Sequence, residues 1–236
     1  MQFASPLIPG ILLRRYQRFL ADVTLNTGQT ITAACPNTGA MLGLNGPGSP
    51  VWLSRSESPT RKYPHTWELV EVEGLGLIGV NTGRPNGIVV EAIRGGLLPL
   101  LGGYEGLRQE VKYGQNSRID ILLEDQFRPP CYVEVKNTHL FRKSGRVEFP
   151  DCVTERGTKH LHELASMARL GARAVMVYLV QAEFPECLSL AADLDPNYVE
   201  AFKTARKAGV EAFALCCKVS TTTITAVRAI PVLEPQ

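Results

Sequence analysis

Residues Ala174 to Val180 form a nearly continuous apolar run with no charge in it. A strand of that composition is buried on both faces and needs a covering layer on each side. That requirement points to a sheet with helices packed against it, and the flanking sequence supplies them. Thr154 to Leu170 places Leu161, Leu164, Ala165 and Ala168 on one stripe at helical spacing, and Gly171 ends the helix. Asp195-Pro196 opens another helix as N-cap and first-turn proline, and Gly209 closes it. Val210 to Val219 and Thr222 to Ile230 read as the last strands. Upstream, Ile88 to Leu101 is a helical stretch interrupted by Gly95-Gly96 and Pro99, and Tyr104 to Tyr113 reads as a short helix closed by Gly114. Arg118 to Leu123 and Cys131 to Lys136 are strands joined by a polar, proline-containing turn. Hairpins mixed with crossovers imply a mixed α/β sheet.

The first third has a different texture. Tyr16 to Leu25, Gln29 to Cys35, Val51 to Ser54, Thr66 to Val72 and Leu75 to Val80 are short extended runs separated by turn residues such as Asn26-Thr27-Gly28 and Pro36-Asn37-Thr38-Gly39. Five such strands suggest a small closed barrel, with the oligonucleotide-binding (OB) fold as the natural candidate. The expected organisation is an OB-like β-barrel over residues 1–82 and an α/β domain over residues 83–236, α+β overall.

Composition excludes the extremes. The chain has 25 Lys+Arg against 23 Asp+Glu, a net charge of +2, with 44% hydrophobic and 20% charged residues. That is neither a disordered chain nor a membrane protein. No uncharged apolar run approaches the roughly 18 residues needed to span a bilayer. Arg14, Arg15 and Arg18 follow the apolar start instead of preceding it, the reverse of a secretory signal, so a cytoplasmic location is expected. The six cysteines lack metal or disulfide spacing and read as reduced structural thiols. His160 and His162, two apart on a helix, point to different faces and are a poor metal pair. A charge this close to neutral admits a nucleic-acid surface only if it is local.

The chemistry concentrates in Ser117-Arg118-Ile119-Asp120 and Tyr132-Val133-Glu134-Val135-Lys136. Alternation puts Glu134 and Lys136 on one strand face, and a hairpin would bring Asp120 to them. Two carboxylates, the Val135 carbonyl and waters offer the oxygen ligands that Mg²⁺ prefers, and Lys136 is placed to orient or deprotonate water. Glu110, on the expected short helix, is placed to touch the same metal or its water shell. The bland alternative is an exposed edge strand with a weak ion pair.

The spacing Asp120 … Glu134-Val135-Lys136 resembles the core motif of the PD-(D/E)xK nuclease superfamily, with Ile119 where the motif name has proline. More specifically, the chain resembles the sugar fermentation stimulation protein A family. The resemblance lies in Arg18-Phe19-Leu20-Ala21-Asp22-Val23, Cys35-Pro36-Asn37-Thr38-Gly39, Val80-Asn81-Thr82, Glu110-Val111-Lys112-Tyr113-Gly114, Ser117 to Asp120, Glu134-Val135-Lys136-Asn137 and Glu155 to Leu161. It implies an OB-like barrel followed by a nuclease-like domain, DNA binding without marked sequence preference, and a link to bacterial sugar metabolism. It also implies catalytic roles for Asp120, Glu134 and Lys136, with Glu110 as the helix acid. Asp120 and Glu134 would hold the metal, Mg²⁺ or Mn²⁺.

Candidate nucleic-acid contacts are Arg14, Arg15 and Arg18 with Tyr16 and Phe19 interleaved, Asn37 in its turn, Arg142 and Lys143 in a basic loop, and Arg156 and Lys159 on the helix. Each has a plainer role as turn, edge or solvated face. The leading expectation is a DNA-binding protein with a metal-dependent nuclease site. The alternative is a non-catalytic DNA-binding regulator of sugar (maltose-type) utilisation, and a weaker third is a small-molecule sensor. The sequence separates neither DNA from RNA nor a monomer from a dimer.

Overall fold

The computed structural model describes residues 1–114 and 117–235. The first part holds β1 (Ile8–Tyr16), β2 (Leu20–Leu25), β3 (Thr30–Ala34), β4 (Pro50–Arg55), β5 (His65–Val72) and β6 (Gly76–Gly79). Antiparallel pairing runs β3-β2-β1-β4-β5, and a bridge between Ala34 and Thr66 closes β3 on β5. The result is a five-stranded barrel with β6 added outside the ring on β5. Fully buried Leu12, Val23, Val51, Leu53 and Trp67 fill it.

The five-stranded barrel matches expectation, but its strands differ from those read along the chain. Tyr16 to Leu25 is not one strand. Gln17 and Arg18 adopt positive φ and turn the chain between β1 and β2. Ile8 to Tyr16, unread because proline, glycine and exposed apolar residues blur its alternation, is the strand that completes the ring.

The second part begins with α1 (Pro85–Arg94), whose proline sits in the first turn, so the helix starts before Ile88 and ends at Arg94. It continues with β7 (Gly106–Tyr113), β8 (Ser117–Glu124), β9 (Cys131–Thr138), β10 (Leu140–Lys143), β11 (Arg146–Phe149), α2 (Glu155–Arg169), β12 (Arg173–Val180), β13 (Cys187–Leu190), α3 (Pro196–Lys207), β14 (Glu211–Val219) and β15 (Ile224–Ile230). The main sheet has the order β15-β14-β12-β9-β8-β7. β12 lies parallel to both β9 and β14, and β10, β11 and β13 form a small separate sheet.

Strand β12 has the two-faced burial that its composition demanded. Val175, Val177 and Leu179 pack on the side of α1, with Ile88, Val89 and Ile93. Met176, Tyr178 and Val180 pack on the other side, with Leu161 and Leu164 of α2 and Phe202 of α3. Asp195 caps α3 as expected, accepting the Tyr198 N–H at 3.1 Å, and its other oxygen takes the Thr154 N–H at 2.8 Å. One buried carboxylate therefore ties the starts of both helices.

Residues 104 to 113 correct the sequence reading. The expected helix is strand β7, paired with β8 from Gly106–Glu124 to Tyr113–Ser117. Its partner β8 follows it directly in the chain, and pairing with that strand overrides weak local propensity. Glu110 therefore sits on an edge strand and not on a helix.

Candidate active site

The ladder between β8 and β9 covers only Leu123–Cys131, Leu122–Tyr132 and Ile121–Val133. Beyond Ile121 the strands part, and the Asp120 side chain takes over the ladder's role: its Oδ2 accepts the Val135 N–H at 2.7 Å. The other oxygen accepts from Asn86 Nδ2 at 2.9 Å, and the same amide lies 3.2 Å from Glu110 Oε1. Gln109 pairs with Ile121 and Val111 with Ile119, so Glu110, at φ +54°, stands opposite Asp120. Asn86, in the first turn of α1, bridges the two acids. The proline before it, marking the helix start, was the available signal.

Glu134 projects toward α2. It is 2% exposed, and its Oε1 receives Lys136 Nζ at 2.7 Å and a close hydrogen bond from His160 Nδ1. Lys136 Nζ also lies 3.1 Å from His160 Nδ1. Arg156 Nε donates to His160 Nε2 at 3.4 Å, which leaves the ring proton on Nδ1, aimed at Glu134. His160, half of a poor metal pair in the sequence, is thus the residue that orients the buried acid. Glu134 Oε2 is buried with no hydrogen-bond partner among the described residues.

The two carboxylates are pushed in opposite directions. Burial, together with the negative charge of Glu134, raises Asp120 above its ordinary value. Burial would raise Glu134 as well, yet the hydrogen bond from His160 and the charge of Lys136 hold it below. Such divergence between neighbouring acids is a mark of functional sites.

Asp120, Glu134 and Lys136 lie on the floor of a cleft of about 510 Å³ between the barrel and the second part of the chain. Arg18, Thr38 and Gly39 line the barrel side, and His139, Asp151 and Arg156 line the other. Asp151 Oδ2 accepts from the Met41 N–H at 3.1 Å and pairs with His139 Nε2 at 3.2 Å. Burial alone would raise Asp151, but its bonds with His139 and Met41 hold it well below the usual carboxylate range. Gln181 donates to Asn137 Oδ1 at 2.8 Å, which turns the Asn137 amide toward His139 Nδ1. His139 and Asp151, missed in the sequence, thus join the barrel loop to the other wall.

Comparison with known proteins agrees with this architecture. Residues 13–80 match the SfsA N-terminal OB domain, and residues 83–223 match the sugar fermentation stimulation protein RE domain. The chain belongs to the sugar fermentation stimulation protein A family. It is 58% identical over 217 residues to the sugar fermentation stimulation protein homolog of Rhodospirillum centenum, covering 92% of this chain and 93% of that one. The homolog of Azorhizobium caulinodans is 55% identical over 236 residues, covering 99% and 100%. The structure of Pyrococcus furiosus SfsA in complex with Ca²⁺ superimposes with a TM-score of 0.86 at 29% identity, covering 99% and 98%. The fold is that of the family, an OB-like barrel joined to a PD-(D/E)xK nuclease-like α/β sheet.

Within this family frame the sequence candidates divide. Asp120, Glu134 and Lys136 converge, with Glu110 one amide away. Arg18 and Arg156 line the cleft. Asn37 lines it too, but as a buried brace: its Oδ1 accepts the Gly39 N–H at 2.9 Å and its amide contacts His139. Arg15 donates to the carbonyls of Arg18, Asn37 and Gly39, so it shapes the barrel loop. Arg14 pairs with Asp22 at 2.8 Å. Arg142 is held by Glu148 and Asp193 in the hairpin of β10 and β11, with Lys143 nearby, away from the cleft. Lys159 pairs with Glu163 on another face of α2. All six cysteines are free thiols.

Among the described residues no group of three or more His, Cys, Asp or Glu side chains is arranged to hold a metal, and no helix is long and apolar enough to cross a membrane. A two-carboxylate floor still suits Mg²⁺ or Mn²⁺. These ions are commonly held by one or two carboxylates, with waters and substrate phosphate completing the shell. The unpartnered Glu134 Oε2 is the acceptor that such an ion would satisfy.

Proposed function

We propose that the protein is a nucleic-acid-binding, metal-dependent nuclease of PD-(D/E)xK type, acting on DNA without strong sequence preference. One observation carries this reading. The parting of β8 and β9 sets Asp120 and Glu134 on one cleft floor, with an unpartnered Glu134 oxygen and Lys136 beside it. That the Pyrococcus furiosus relative was solved in complex with Ca²⁺ supports association of a hard divalent ion with a protein of this fold.

Asp120 and Glu134 would hold Mg²⁺ or Mn²⁺, which when bound polarises a phosphate and acidifies a water. The rest falls to the chain's own groups. Lys136, held by Glu134 Oε1, places an ammonium where negative charge grows as water oxygen bonds to phosphorus. The attacking water's proton passes to solvent, the P–O bond to the leaving oxygen breaks, and that oxygen takes up a proton from solvent. Glu110 and Asn86 hold Asp120 in register. Arg18 and Arg156 hold flanking phosphates, as charges that position without reading sequence. Residues 1–82 act as the nucleic-acid-binding barrel and residues 83–236 as the nuclease-like domain of a cytoplasmic protein.

A second reading, a non-catalytic DNA-binding regulator, is favoured by the lack of a three-ligand cluster among the described residues. The test compares wild type with Lys136→Ala and Asp120→Ala on plasmid, linear duplex and single-stranded DNA in Mg²⁺ or Mn²⁺. The nuclease reading expects cleavage by wild type only. Cleavage that persists in Lys136→Ala would sink the assignment, and binding without cleavage under either metal would favour the regulator.

A further inference from the structure

We infer that the cleft receives nucleic acid as a single strand, a nucleotide or two at a time, and not as an intact duplex. This rests on the nucleic-acid reading above and narrows its substrate class.

The first argument is depth. Glu134 is 2% exposed and Asp120 is half-buried at the cleft floor. A phosphate sharing a metal with them must come within about 2 Å of that ion. A cleft of about 510 Å³ falls in the size range of small-ligand pockets. It has room at its floor for one or two nucleotides.

The second is that the walls are fastened. Asp151 takes the Met41 N–H and pairs with His139, while Asn37 is buried against His139. Thr82 Oγ1 donates to the Pro36 carbonyl at 2.8 Å. At Gly39 the backbone approaches so closely that a Cβ would stand 2.6 Å from Asp151 Oδ2. Widening the cleft for a duplex would break a buried polar network.

The third is which surfaces are left over. Arg18 from the barrel and Arg156 from α2 line opposite walls, and neither has a carboxylate partner among the described residues. Phe19, next to Arg18, is 50% exposed, so its ring is open for a base to stack on. Unstacked bases bind to such aromatic faces beside a cationic track, whereas a paired duplex keeps its base faces inside its own stack. Of the basic residues read from the sequence as nucleic-acid contacts, Arg14 and Arg142 are engaged with acids outside the cleft.

The test is fluorescence anisotropy of the full chain in CaCl₂ with three labelled probes: a 20-nucleotide oligo-dT, a blunt 20-base-pair duplex, and a duplex carrying a single-stranded tail. The single strand is expected to bind at least about tenfold tighter than the blunt duplex, with the tailed duplex resembling the single strand. Arg18→Ala and Arg156→Ala should each weaken single-strand binding several-fold and each lower the salt slope by about 0.7. Blunt duplex bound as tightly as single strand, or variants that weaken both probes equally, would overturn the inference and leave the nucleic-acid reading standing. Absence of binding to all three probes would overturn both. Because calcium binding requires no cleavage, failure to cut bears only on the nuclease assignment.

Discussion

The cleft and the outer surface carry the same kinds of side chain in opposite states. Outside, Arg14 meets Asp22, Arg142 meets Glu148 and Asp193, and Lys159 meets Glu163. Inside, Arg18 and Arg156 have no carboxylate partner among the described residues, and Glu134 keeps one oxygen unpartnered. These exterior pairs cancel locally, while the two arginines facing each other across the cleft have no acid paired with them among the described residues. A chain with a net charge of +2 can in this way present a locally basic cleft. Net charge averages over pairs, whereas binding depends on what is left unpaired.

The comparison is most easily broken at Lys136. Lys136→Ala should lower the single-turnover cleavage rate by about 100-fold or more while leaving binding nearly intact, because its charge matters as the transition state forms. Equal loss of binding and cleavage would make Lys136 an ordinary contact. His160→Ala comes next. It removes one of the two donors to a buried carboxylate, so calorimetric melting should show a loss of about 1–3 kcal/mol, and cleavage should fall with it.

Asp151→Asn probes the fastening of the walls and carries a pH signature. Asp151 is held below its ordinary value, so its stabilisation is complete above the carboxylate range and is lost as pH falls through the lower folded value. The variant should be less stable than wild type at neutral pH, with the gap closing as pH falls below the carboxylate range in acid unfolding curves. A gap that widens on acidification would contradict the account. The smallest effect belongs to Arg14→Ala, which should change single-strand affinity by less than about twofold because that guanidinium already has a partner.

The sequence displayed the parts of this site that lie in single strands. The apolar run of β12 announced a two-faced sheet, and alternation in β9 put Glu134 and Lys136 on one face. The seven stretches quoted for the family resemblance are distributed along both parts of the chain. What could not be read was set by pairing between strands. Glu110 looked helical until β8 came alongside it, and Ile8–Tyr16 became a strand only through Leu20–Leu25 and Pro50–Arg55. Arg15 and Arg142 looked available because their partners, the barrel-loop carbonyls and Asp193, are distant or carry no charge signature. His160 was visible as a polar helix residue, but its aim at Glu134 depends on how α2 crosses β9.

The central claim is that Asp120 and Glu134 together form a divalent-ion site. Isothermal titration of Mn²⁺ into wild type, Asp120→Asn and Glu134→Gln, with melting curves confirming that each variant is folded, tests it without any need for cleavage. The account predicts a binding isotherm for wild type that is lost in both variants. Unchanged Mn²⁺ binding in a folded Asp120→Asn or Glu134→Gln protein would contradict it.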